Sequence, residues 1–453
     1  MVPTTTRADR NLIRSGSLST RVMQLSALDC FEDHFGICFV SFYRKTQSAD
    51  TIGKALQALL VHYPLLSGRV IKQEDGLGLA LHDQGVPFSV SHSSASLSDW
   101  RDPDRNLIGR FADRILPQVP GRAQQALMKI KLTHLQGGGS VLGIGLAHVL
   151  GDGRSFCTLL QDWGRLARGE TITPLCWDRD RLRASLLQKG QDPGPVPLHA
   201  QSYLGLEQFS LPRLVRLYAK VISHMPRMQG LRLHVRGEEL LSLKDQLNEG
   251  QEVKLSSHDA IAAALFKRLH ALPHGQSVGS VRYLMIADLR SRTEGIPPEG
   301  AFANLSGHMV QSVESEAIDK ADPYSLALQL RLGSRAFEKD HYLKQEAWLR
   351  ERVRQRTIGR TFACHDPFRS DFFISNVQNL PFYDLDFGEG RPYCFTMPTE
   401  MAPRIVQVFP RPDGDGCDIL LNVTRSMAKE LLSHRDRKPA PLSLLSLAER
   451  SSR

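Results

Sequence analysis

Apolar residues recur at helical spacing from Thr51 to Tyr63, where Ile52, Leu56, Leu59, Leu60 and Tyr63 share one face. This spacing predicts an amphipathic helix, ended by Pro64 and Gly68, with a strand starting at Arg69-Val70-Ile71. From Ala126 to His134 apolar and polar residues alternate, the period of a half-buried strand. A glycine-rich stretch, Gln136 to Ser140, then leads into the nearly continuous apolar run Val141 to Ala147, so two neighbouring strands joined by a tight turn are expected. Between Arg154 and Arg168 the pattern returns to helical, with Phe156, Leu159, Leu160, Trp163 and Leu166 on one side. Further along, Ser257 to His270 reads as an Ala-rich helix and Val281 to Ala287 as a buried strand. Asp371 to Ser375, Ile405 to Phe409 and Cys417 to Val423 read as short strands, the last after an Asp413-Gly414-Asp415-Gly416 turn. Helices and strands are mixed without strict βαβ alternation, which predicts an α/β or α+β protein with mixed sheets.

A chain of 453 residues exceeds what one hydrophobic core usually supports, so two domains are expected. The divisions read as a flexible lead-in over 1–20, a first domain over 21–190, a linker over 191–215, a second domain over 216–432 and a basic tail over 433–453. The linker is marked by Pro193, Gly194, Pro195 and Pro197. Hydrophobic residues make up 41% and charged residues 23%, a balance that lets most of the chain fold.

The net charge of +9 favours anionic partners or simply solubility. Basic residues are scattered, apart from clusters at Arg350 to Arg360 and Arg435 to Lys438. Neither cluster is interleaved with aromatics, and no zinc-finger or RNP-type motif is present, so no nucleic-acid partner is expected. The seven cysteines are odd in number and widely spaced, which argues against a disulfide framework or a structural zinc site and suits a reducing compartment. No apolar run approaches the roughly 20 residues needed to span a bilayer, so no membrane partner is expected. Arg7, Arg10, Arg14 and Arg21 among Ser and Thr leave two readings of the N-terminus, a transit peptide or a plain lead-in. A cytoplasmic, monomeric protein is the resulting expectation.

The sharpest local feature is Leu146-Ala147-His148-Val149-Leu150-Gly151-Asp152-Gly153. A buried strand delivers His148 to its end, Gly151 and Gly153 permit a tight turn, and a helix follows at once. An imidazole titrating near pH 6.5 is suited to take a proton from an attacking hydroxyl or amine and to return it to a leaving thiolate. A lone strand-end His is also compatible with a plain hydrogen-bonding role, and Asp152 with capping the next helix.

His148-Val149-Leu150-Gly151-Asp152-Gly153 resembles the HxxxDG motif of the BAHD acyltransferases, relatives of chloramphenicol acetyltransferase and of condensation domains. Leu380 to Pro392, which contains Asp386-Phe387-Gly388-Glu389-Gly390, resembles the family's DFGWG segment. Leu25 to Asp29 is similar to LSxLD, Tyr63 to Arg69 to YPLAGR, and Asp288 to Arg292 with Pro297-Pro298 and Phe302-Ala303-Asn304 to the DxRxR, PP and YFGN series. The matches run in order over about residues 20 to 430.

The resemblance implies two chloramphenicol-acetyltransferase-like halves with a channel between them, and acyl transfer from acyl-CoA to a small-molecule hydroxyl or amine without a covalent intermediate or a metal. By the same resemblance His148 is the general base and Asp152 is structural, paired with Arg290. Asp386 holds its loop or has a second catalytic role. Ser375, Asn376 and Gly388 stand near the oxyanion, and Lys254, Ser256 and Ser257 meet the coenzyme. Ordinary strand-end bonding for Ser375 and Asn376, and N-capping for Ser256 or Ser257, are the alternatives. The chain departs from the pattern at Ala147, where many relatives have a second His, at Glu389 and Val377, where tryptophans are common, and at Ala303, which replaces a Gly. A condensation-type enzyme with a carrier-protein donor and a non-catalytic binding homologue are the competing readings.

Overall fold

The computed structural model describes residues 9–433 apart from 18, 35, 75, 101–106, 116–124, 188–193, 273–278, 298 and 399–401. The basic tail expected over 433–453 and the first eight residues lie outside the described residues, apart from Ser433, which ends the last described helix.

Two six-stranded mixed sheets organise the protein. The first runs in the order Asp9–Ile13, Val86–Ser93, Met128–Leu135, Ser140–Ala147, Gly36–Tyr43 and Cys394–Thr396. The second runs Met228–Val235, Cys417–Thr424, Ile405–Pro410, Phe372–Asn376, Ser280–Asp288 and Ser306–Glu314. Each contains parallel pairs within a mainly antiparallel ladder: Val86–Ser93 with Met128–Leu135 in the first, and Phe372–Asn376 with both its neighbours in the second. Each half is thus built on a six-stranded mixed sheet. They are also joined, because Cys394–Thr396, from late in the chain, pairs antiparallel with Phe42 to Val40 of the first sheet.

The hairpin expected from the alternation pairs Met128 with Leu146 through His134 with Ser140. Its turn places Gly137, Gly138 and Gly139 at φ of 80°, 103° and 88°, a region that only glycine enters without strain. Every residue of Ser140–Ala147 is buried, as its unbroken apolar run requires. Gly143 in that strand admits no side chain, since a Cβ would come within 1.7 Å of the Phe111 carbonyl oxygen.

The helix Ala49–His62 lays Ile52, Leu56, Leu59 and Leu60 against the helix Gly153–Ala167, whose buried Trp163 donates its indole N–H to Ile52 O at 3.2 Å. The helix Ser257–His270 has the bounds expected from sequence. Asp413 to Gly416 lie in the hairpin turn that pairs Pro410 with Cys417.

Two stretches differ from expectation. Residues 9–13, read as flexible lead-in, form the edge strand of the first sheet and pair with Val90 to Val86. Within the stretch read as linker, Ser202–Tyr203 and Leu206–Gln208 form a small sheet with Thr361–Ala363, and the helix Leu211–His224 begins before it ends. Pro212 in that helix's first turn is tolerated because early helical N–H groups have no intrahelical partner. The proline and glycine content had masked a clear 3–4 apolar spacing.

Candidate active site

His148 stands where the two halves meet. The strand Ser140–Ala147 ends at it, the chain makes one tight turn through Leu150, and Asp152 caps the helix Gly153–Ala167 by accepting from Ser155 N at 3.1 Å. Gly151 is required by close approach: a Cβ there would lie 2.9 Å from Ser155 Cβ and 3.6 Å from Ala303 N. Gly153 faces the second half, with Val377 and Leu380 each 4.0 Å from where a Cβ would be.

A buried polar network fixes the backbone of this turn. Asn304 donates to the His148 carbonyl at 2.9 Å and to Asp29 Oδ1 at 2.9 Å. Arg179, paired with Asp29 at 2.7 Å, donates to the carbonyls of Leu150 at 2.7 Å and Phe302 at 2.6 Å. The matches at Asp29 and Asn304 thus have a physical meaning: three segments distant in sequence are tied to the two peptides around His148. Charged groups so thoroughly paired are tolerated inside, whereas a single unpaired one is costly.

Asp152 turns away from the imidazole. Its Oδ2 accepts from Arg290 Nη1 at 2.8 Å and from Leu305 N at 2.9 Å. Burial alone would raise the Asp152 pKa, but the Arg290 charge and the hydrogen bonds from Arg290, Leu305 and Ser155 outweigh it and hold the carboxyl below the usual range. Arg290 also donates to the carbonyls of Ala301 and Ala303, seating the 301–304 segment on the turn.

The imidazole has a carboxylate partner that the motifs do not contain. Glu32 Oε2 lies 3.8 Å from His148 Nδ1, and Glu32 Oε1 lies 3.6 Å from His308 Nε2. The Glu32 side chain is 5% exposed and that of His148 20%. Neither separation is a hydrogen bond, and Nδ1 of both histidines is buried without a partner. With Nδ1 turned inward to Glu32, Nε2 is the nitrogen left to meet a substrate. Glu32 is positioned by the helix Ala27–Glu32, begun by a Ser26–Asp29 capping box and anchored by Glu346, which accepts from Ala27 N and Leu28 N at 2.9 and 2.8 Å. Asp29 and Glu32 are three residues apart and so share one face of this helix. Burial holds His308 below the ordinary histidine range, against the opposing pull of Glu32.

The other predicted residues are placed as follows. Asp386 Oδ1 accepts from Gly388 N at 2.8 Å and Gly390 N at 3.0 Å, and its carbonyl receives Arg168 at 2.5 Å, so it holds its own loop against the helix that follows His148. The Gly388 N–H is engaged there and is not a donor for an oxyanion. Ser375 and Asn376 end a strand of the second sheet, just before Val377 reaches the Gly153 turn. Asn376 Oδ1 accepts from Gln378 N at 3.0 Å and its amide nitrogen lies 3.1 Å from His258 Nδ1, which leaves its second amide N–H and the hydroxyl of the half-buried Ser375 without a partner among the described residues. Lys254, Ser256 and Ser257 line a surface cavity of about 610 Å³ together with Lys244 and Asn248, at the N-terminus of the helix Ser257–His270. Ser256 is its N-cap, in a capping box with Asp259.

Two mixed sheets meeting at a histidine turn define the chloramphenicol-acetyltransferase-like fold. The chain belongs to the Transferase family, the BAHD acyltransferases, whose sequence model matches residues 4–434. It is 26% identical over 413 residues to shikimate O-hydroxycinnamoyltransferase of Nicotiana tabacum, covering 86% of this chain and 89% of that protein. In fold it is similar to vinorine synthase, with a TM-score of 0.69 at 20% identity and 98% of each chain covered. It is also similar to F. graminearum TRI101 complexed with coenzyme A and T-2 mycotoxin, with a TM-score of 0.65 at 14% identity, covering 92% of this chain and 98% of that one.

Proposed function

We propose that the protein transfers an acyl group from acyl-CoA to a hydroxyl or amine of a small-molecule acceptor, with His148 as general base. The observation that carries this reading is an imidazole at the junction of the halves, its backbone clamped, its Nδ1 facing Glu32 and its Nε2 without a hydrogen-bond partner among the described residues. The acceptor O–H or N–H gives its proton to Nε2 as its lone pair attacks the thioester carbonyl. The tetrahedral intermediate carries one negative charge on oxygen, for which the Ser375 hydroxyl is the proposed donor. Collapse breaks the C–S bond, and the imidazolium returns its proton to the departing thiolate. Glu32 is a positioning residue that favours the imidazolium between these two transfers. Lys244 and Lys254, beside the Ser257–His270 N-terminus, suit the phosphates of the coenzyme.

The test is His148→Ala with a panel of acyl-CoA donors and a pooled alcohol and amine library, followed by thiol release and product mass. The parent protein should form ester or amide at the expense of acyl-CoA. Acceptor-dependent release that persists in a folded His148→Ala variant would overturn the assignment.

A further inference from the structure

We propose that the helix Leu211–His224 docks this protein on an anionic phospholipid surface. None of its residues is buried. Leu211, Val215, Tyr218, Ile222 and, just beyond the helix, Met225 stand 47 to 69% exposed, and they are five of the thirteen exposed large hydrophobic residues among the described residues. At about 100° per residue they fall within an arc of about 80°, one continuous stripe along the helix. The opposite side fastens the helix to the body: Lys220 pairs with Asp366 at 3.0 Å and the His224 ring lies 4.8 Å from Phe368.

Charge chooses the occupant of the stripe. Between residues 211 and 227 there are Arg213, Arg216, Lys220 and Arg227 and no Asp or Glu. Arg213 pairs with Glu207 and Lys220 with Asp366, whereas Arg216 and Arg227 are exposed. Met228 pairs with Thr424, which brings the exposed Arg425 alongside, with Lys429 one turn further on. A second copy would bring these cations toward their own counterparts, and like charges across an interface are unfavourable. An exposed apolar stripe on a helix whose other faces carry cations and no acid is the pattern of a helix lying in the headgroup layer, stripe toward the acyl chains and exposed arginines toward the phosphates. Such a helix needs no membrane-spanning run, which is why the length of apolar runs did not reveal it.

The full chain is sedimented with phosphatidylcholine vesicles and with phosphatidylcholine–phosphatidylserine vesicles. It should partition to the second kind, and the binding should weaken as salt is raised. The double variant V215S/I222S, altered only at exposed positions, should bind at least about tenfold more weakly while its melting temperature and its turnover of a water-soluble acceptor stay unchanged. Equal binding to both vesicle types, or full binding by the variant, would overturn the proposal. So would a dimer in light scattering that the variant loses, or capture by an acidic helical peptide without vesicle binding, since either assigns the stripe to a protein.

Discussion

Replacing Glu32 with glutamine keeps the shape of the side chain and removes its charge. In the proposed mechanism His148 enters the cycle as the free base, so before proton transfer that charge does little. In the proposed reaction His148 becomes an imidazolium 3.8 Å from the carboxylate. Coulomb's law at that distance gives about 4 kcal/mol at an effective dielectric near 20 and about 1 kcal/mol in bulk water. Burial keeps His308 from competing as a cation, so the attraction is directed at His148. Each 1.36 kcal/mol is about tenfold in rate, so kcat of E32Q should fall between about fivefold and about 800-fold. The interaction exists only after proton transfer, so KM for acyl-CoA should hold steady while kcat and kcat/KM fall together. Stability supplies the second readout. A buried carboxylate that faces two imidazoles at 3.6 and 3.8 Å without a hydrogen bond to either costs more to bury than it recovers, so E32Q should melt at the parent temperature or above it. Steady-state kinetics and a thermal melt on the same preparation decide the matter. A kcat within about twofold of the parent, or a kcat loss matched by a fallen melting temperature, would show that Glu32 does not act through the imidazolium.

D152A removes one partner of the buried Arg290 pair and should cost about 3–5 kcal/mol in denaturant unfolding, with activity lost in proportion to folded protein rather than by a change in chemistry. S375A should leave binding of acyl-CoA intact and lower kcat by on the order of a hundredfold if the hydroxyl meets the oxyanion, and by little if the serine only ends its strand. His365 supplies a pH test. Burial lowers its pKa from 6.5 to about 4 in the folded protein, so the unfolded chain takes up the proton first. Its contribution is fully present above pH 6.5 and is lost as pH falls toward 4, at up to about 1.4 kcal/mol per pH unit. H365F should flatten that part of the stability curve, measured by denaturant titration across the window.

Much of the fold was legible because its periods are strong. Ile52, Leu56, Leu59 and Leu60, spaced for a helix, marked Ala49–His62, and the Gly137 to Gly139 turn between two strand patterns marked the hairpin that carries His148. The pairing of Asp152 with Arg290 was legible only through resemblance, since 138 residues separate them. The roles of Glu32 and His308 were not read from the sequence. Nothing local marks Glu32 as facing an imidazole, because its position depends on how a six-residue helix is held by Glu346, far along the chain. The one available sign was its three-residue spacing from Asp29. The exposed helix was hidden for the opposite reason: its pattern was plain, but surrounding prolines and glycines outweighed it.

The pairing of Phe42 with Cys394 has a consequence during synthesis. The strand Gly36–Tyr43 is made early, and the segment that covers its outer side emerges about 350 residues later, which at 5–20 residues per second is roughly 20–70 s. Throughout that interval the nascent first half presents a bare row of amide and carbonyl groups next to its most apolar strand, an invitation to pair with a neighbouring ribosome's product. Yield of soluble protein should therefore depend on how the cell shields half-made chains, and a truncation that stops before Cys394 should aggregate even with every other strand of its first sheet present.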